Sequence, residues 1–154
     1  MIAINHTLAG AAIGSLTDNI PFVVVASIAS HFVLDFLPHI DQGADKDGRE
    51  RFRPLIKYSL AAFDVFVSFV IVILLIYFKS SLNGWNVFIG AFSALLIDLV
   101  FNVPFWEDKV ASVWPLNKIY NFHNKLHDPF KKYEWWGVPI QIALVIMCLW
   151  IILR

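Results

Sequence analysis

Ser30-His31-Phe32-Val33-Leu34-Asp35-Phe36-Leu37-Pro38-His39-Ile40-Asp41 closes a long apolar run, yet it carries two histidines and two aspartates. His31 and Asp35 stand four residues apart. On a helix they share one face, one turn from each other. Pro38 cannot continue that helix, and it drives the residue before it into extended backbone. The chain can then throw His39 and Asp41 back toward the same point. Imidazole and carboxylate are the donors that a hard-to-borderline divalent cation takes. The stretch predicts a metal site at one end of a bundle of membrane helices.

The rest of the chain supplies the bundle. Of its 154 residues 58% are hydrophobic and only 16% charged, and the mean hydropathy is +0.66. That is too apolar for an ordinary soluble domain, and several runs are long enough to span a bilayer. The helix that ends at the opening stretch begins near Ile20, after an Asp18-Asn19 turn and with Pro21 in its first turn. Before it, residues 2–17 are apolar and rich in Ala and Gly, with His6 among them. Helical, they would reach only roughly 24 Å, so they either cross or form a re-entrant or interfacial helix. Gly10, Ala11, Ala12 and Gly14 permit close helix–helix approach.

After the opening stretch, residues 41–57 form a polar loop of mixed charge. A strong apolar helix over Tyr58 to Phe78 follows, interrupted by Asp64, and then another over Val87 to Phe105 that carries Asp98 and Asn102. Residues 106–133 are polar again. Within them Leu116, Ile119, Tyr120, His123 and His127 fall on one helical face, between Pro115 and Pro129. This reads as an amphipathic helix on the membrane surface. Trp135-Trp136 mark an interface belt, and the last span covers Gly137 to Leu153. The predicted fold is all-α: one integral membrane domain over residues 1–154, a polytopic bundle of four to five apolar segments plus a cytoplasmic-side amphipathic helix.

Charge orients this bundle. Ten of the twelve Lys and Arg lie in 41–57 and 106–133. An even number of spans separates the two regions, so they share a side, and the positive-inside rule makes it cytoplasmic. The expected location is a prokaryotic inner membrane. The formal net charge is zero, so nothing suggests nucleic-acid binding. The first Lys or Arg is Lys46, so the N-terminus does not read as a signal peptide. Cys148 is the sole cysteine, which excludes an intrachain disulfide and a thiolate cage.

Helix arithmetic then brings the polar residues to one depth. His31, Asp64 and Asp98 each lie about seven residues from the cytoplasmic end of their helices, roughly 10 Å inside that face. Asp35 is a turn shallower, His6 can reach the same level, and His123 and His127 lie on the surface helix just above. A carboxylate inside a membrane costs roughly 2.5 kcal/mol or more, which a cation among them would remove. Taken singly, Asp64 or Asp98 could be a hydrogen-bonded packing residue, His6 structural, and His39 and Asp41 helix-end residues. Their coincidence at one depth is what points to a site.

Three stretches also carry a family resemblance: His6-Thr7-Leu8-Ala9-Gly10, the run Ser30 to Asp41, and His123-Asn124-Lys125-Leu126-His127-Asp128. Together they resemble the YdjM-type membrane-bound metal-dependent hydrolases. That family's pattern after the second helix is Pro-Asp-x-Asp, where this chain has Pro38-His39-Ile40-Asp41. More distantly, His31, Asp35 and His39, with His123 and His127 or Asp128, are similar to the zinc-dependent phospholipase C and single-strand nuclease group, at a shorter final spacing. That resemblance implies a zinc cluster hydrolysing phosphoesters.

The leading expectation is a membrane-embedded metal-dependent hydrolase. Its divalent metal, zinc foremost, is held by His31, Asp35, His123 and His127, with His6 and His39 as additional ligands. Asp98 or Asp64 orients a ligand or acts as general base. The substrate expected at headgroup level is a lipid or phosphoester. One alternative is an ion or proton transporter with Asp35, Asp64 and Asp98 as its relay. The other is a non-catalytic membrane scaffold with a structural metal.

Overall fold

The Gly- and Ala-rich segment near the N-terminus forms the centre of the molecule. In the computed structural model, residues 1–40, 52–103, 105–127 and 133–154 are described, the side chains of His127 and Glu134 excepted. Among the described residues the secondary structure is entirely helical. In order the helices are α1 (Ala3–Ser15), α2 (Ile20–Phe36), α3 (Pro54–Phe78), α4 (Gly84–Phe101), α5 (Glu107–Ser112), α6 (Leu116–His127) and α7 (Glu134–Leu153).

Helix α1 has 13 residues, nine of them buried, and it packs against α2, α3, α4 and α7. Its contacts set the direction of each neighbour. Ala3 meets Asp64 and Thr7 meets Ser68, so α3 runs parallel to α1. Met1 meets Asp35, so α2 runs back alongside it. Gly10 faces Gly90 and Gly14 faces Asn86, so α4 is also antiparallel. A Cβ at Gly10 or Gly90 would run into the other residue's carbonyl oxygen. Only glycine at both positions lets the two backbones touch.

Helices α3, α4 and most of α7 (Trp135–Leu153) are long and apolar enough to cross a membrane. They expose Phe63, Phe66, Phe78, Ile142, Ile146 and Trp150 to the outside, an apolar surface suited to lipid rather than water. Helix α2 is apolar but has 17 residues. Small and aliphatic side chains fill the half of the bundle away from the opening stretch: Leu8, Ala11 and Ala12 with Val72, Val87, Ala91, Cys148 and Ile152.

Some boundaries differ from those the sequence predicts. Helix α3 starts at Pro54, four residues before Tyr58, because proline fits the first helical turn. Helix α4 starts at Gly84, where Asn83 caps it by accepting from the Asn86 N–H, and it ends at Phe101 rather than Phe105. The sequence pattern predicts no helix at α5, whose six residues are too few to show a period.

Candidate metal centre

The polar residues gather at the end of the bundle where α1, α3 and α7 begin and α2 and α4 finish. Helix α2 presents His31 and Asp35 on one face, as their spacing requires, with His31 Nε2 3.0 Å from Asp35 Oδ2. Helix α4 brings Asp98. Helix α6 lies across the opening and inserts His123, which is 1% exposed. His123 Nε2 lies 3.2 Å from His31 Nε2 and 3.1 Å from Asp35 Oδ2. Phe101 and Phe32 flank its ring. Helix α1 adds His6, fully buried, with its ring stacked on His31 at 4.1 Å between centroids. Asp98 stands 3.8–3.9 Å from all three imidazole Nε2 atoms.

The environment decides what His31 can present to this group. Its Nδ1 donates to the Ala94 carbonyl, 2.8 Å away. A carbonyl can only accept, so the proton sits on Nδ1, and neutral His31 turns the Nε2 lone pair inward. That lone pair faces an Asp35 oxygen at 3.0 Å. Acceptor against acceptor at this range is repulsive unless positive charge lies between them. Either an extra proton on an imidazole or a metal ion supplies it. The Met1 ammonium lies 2.9 Å from the other oxygen, Asp35 Oδ1.

The spacing admits a metal. Ligand atoms of His31, Asp35, Asp98 and His123 all lie within 4.8 Å of one another. Around zinc, bonds of about 2.0–2.1 Å put tetrahedral ligand atoms about 3.3 Å apart. The separations of 3.0, 3.1, 3.2, 3.8 and 3.9 Å bracket that value. The Nδ1–carbonyl bond of His31 is the outer contact that fixes a ligating imidazole's tautomer and orientation. This buried group could hold a divalent cation.

Not every residue picked out by sequence joins it. Asp64 lies at the expected depth but faces α1, where it accepts from the backbone N–H groups of Ala3 at 2.6 Å and Ile4 at 3.3 Å. His39 sits in the extended segment after α2, and its Nδ1 donates to the Leu37 carbonyl at 2.7 Å. That segment is clamped by α7. Gln141 accepts from Ile40 N–H and donates to Ile40 O, and Gly137 leaves room for the His39 backbone. The side chain of His127, and Asp41 and Asp128 entirely, lie outside the described residues.

Sequence reasoning missed the Ala94 carbonyl, since nothing local marks a main-chain acceptor. Asn102 carried a signal in its spacing from Asp98, and its Nδ2 donates to Asp98 Oδ1 at 2.7 Å. The Asp98 side chain is 19% exposed, whereas those of Asp35, His6 and His31 are closed off, so the group meets the outside at Asp98. Beside it, Ile28, Phe32, Ile97, Lys118, Ile119 and Phe122 line an open and almost wholly apolar groove of about 480 Å³. The chain matches no family model, no curated protein and no solved structure.

Proposed function

We propose that the protein is a membrane-embedded metal-dependent hydrolase whose substrate is a lipid phosphoester. The observation that carries this reading is the convergence of His31, His123, Asp35 and Asp98 on one buried point with the His31 lone pair turned inward. In this reading α2 is a fourth span and α1 a buried half-span, the basic loops face the cytoplasm, and the cation is zinc. The motif resemblance to the YdjM-type hydrolases points the same way.

Each residue then has a task. A divalent ion held there supplies a water of lowered pKa and polarises the phosphoryl oxygen. Asp98, the most open member, faces incoming substrate, and Asn102 holds its carboxylate in place. Ala94 keeps His31 in the ligating tautomer. The groove accepts an acyl chain on apolar side chains, and the Lys118 ammonium meets the anionic phosphate. Hydrolysis adds water across the phosphorus–oxygen ester bond, and the alcohol leaves with a proton.

A transport role is less well supported. Small, closely packed apolar residues fill the bundle beyond the polar group, and a transported ion needs polar or aqueous passage on both sides.

The test is metal content of the detergent-purified protein by elemental mass spectrometry, together with hydrolysis of anionic phospholipids in mixed micelles. Near-stoichiometric metal and turnover in the parent, both lost in His31→Ala and His123→Ala, is the expected result. Absence of metal after reloading would sink the proposal. Lys118→Glu should raise KM for the anionic lipid about tenfold or more while leaving kcat near the parent's, as expected for a lost binding contact.

A further inference from the structure

Both carboxylates of the centre divide their oxygens between two sides. Asp35 Oδ2 lies 3.0 Å from His31 Nε2 and 3.1 Å from His123 Nε2, whereas Asp35 Oδ1 lies 3.1 Å from His6 Nε2. Asp98 repeats the pattern. Its Oδ1 stands 3.9 Å from His31 and 3.8 Å from His123, and its Oδ2 stands 3.9 Å from His6. The side facing His6 therefore reproduces, with the opposite oxygens, the distances on the side facing His31 and His123.

His6 itself calls for a partner. It is fully buried, and neither of its ring nitrogens makes a hydrogen bond among the described residues. Its Nε2 approaches Asp35 Oδ1 closely, but not along the line a proton would take. A buried imidazole left this way loses the solvation of both nitrogens. A cation between Nε2 and the two oxygens would satisfy that nitrogen, because a metal accepts ligands from several directions at once.

We infer that the centre is binuclear, with a second divalent cation bound by His6 Nε2, Asp35 Oδ1 and Asp98 Oδ2 and both carboxylates bridging the pair. The inference rests on reading the first group as a metal centre. The Met1 amino nitrogen, 2.9 Å from Asp35 Oδ1, shares that oxygen and borders the second position. Carboxylate-bridged pairs of this kind stand about 3.5–4 Å apart and clamp the attacking and leaving oxygens of an in-line displacement. Two dications against two carboxylates leave the loaded centre positive. It therefore selects an anionic phosphoester over a neutral carboxylic ester.

The experiment uses the full chain in detergent, stripped with chelator and reloaded with manganese(II) alone. Manganese content is measured by elemental mass spectrometry and coupling by electron paramagnetic resonance. The expected result is about two ions per chain with the spectrum of an exchange-coupled pair, as a bridged two-metal site requires. His6→Gln, which keeps a polar side chain in the buried position, should fall to about half that content and show the spectrum of isolated ions. One ion per chain in the parent, uncoupled, overturns the second position and leaves the first reading standing. An unchanged coupled pair in His6→Gln overturns the assignment of His6. No manganese in the parent overturns both. Should His6→Gln fail to fold, the content and coupling of the parent decide alone.

Discussion

Asp64 gives the sharpest test of how the buried carboxylates divide their work. Read by depth alone it belongs with Asp98 as a candidate base, yet it accepts from the Ala3 and Ile4 N–H groups at the start of α1. Those are groups that a helix leaves unpaired at its N-terminus. The Asn5 N–H turns instead to the Ile2 carbonyl. Asp64 is half-buried at the end of the bundle where α1 begins, so water can replace it only in part. Removing it strands two N–H groups, each costing about 1–3 kcal/mol, together with the loss of hydrogen bonds to a charged acceptor. Asp64→Ala should therefore destabilise the protein by about 2–4 kcal/mol. For a chain of this length that is a fall of roughly 10 °C in melting temperature. Asp64→Asn keeps one acceptor oxygen for the short bond to Ala3 and should cost about 1–2 kcal/mol. Thermal unfolding in detergent, followed by helical circular dichroism, reads both. Metal content and phospholipid hydrolysis are measured below the transition, and Asp64→Asn should keep both near the parent. A parent-like melting curve in Asp64→Ala, with full metal content but no hydrolysis, would refute the structural role and put Asp64 on the substrate.

Gly90→Ala should cost about 1–3 kcal/mol, because the added methyl meets the Gly10 carbonyl and forces α1 away from α4. Adding Gly10→Ala should cost less than a second full increment, since both act on one separation, and unfolding curves of the single and double variants check this. Gln141→Ala removes both bonds to Ile40 and should weaken the clamp on residues 37–40 by about 1–2 kcal/mol. Limited proteolysis there should accelerate while metal content stays unchanged. Chelation should lower the stability of the parent by about 2.7 kcal/mol for each bound ion, relative to protein held at a hundredfold excess of metal over Kd. Calorimetry should find that difference abolished in His31→Ala.

How much of this could be read beforehand depends on the coordinate concerned. The spacing of His31 and Asp35 gives a shared helical face, and the structure keeps them 3.0 Å apart. Counting residues from helix ends gives depth, and at one depth His6, His31, Asp98 and His123 do meet. Counting does not give rotation about the helix axis. Asp64 is level with the others, but α3 turns it toward the start of α1. His39 shows another limit. Pro38 marks the end of α2, yet the course of the next residues is set by Gln141 and Gly137, about a hundred positions away. The close contact of α1 with α4 was legible only as a permission, in the small residues at Gly10 and Gly14. Gly90 completes it from the other side, and nothing in the local pattern around Gly90 pairs it with Gly10.

The short α1 explains why a site of this kind can sit inside a membrane bundle. Thirteen residues reach about 20 Å, well under the roughly 30 Å of hydrocarbon a spanning helix must cross. A helix end left at that depth would be costly in lipid, since its free N–H groups would find no partner. Surrounded by four other helices, it finds one in Asp64. Beside the first turn of α1 come the ends of α2 and α4, carrying Asp35 and Asp98. His6 sits on that turn, and α6 covers the group with His123. Below, the glycine contacts of α1 and α4 close the bundle with apolar residues. The cap on α1 and the polar group are thus two results of one choice, a helix too short to span. A substitution that displaces α1 should reach His6 before it reaches His31, whose Nδ1 is anchored independently on α4.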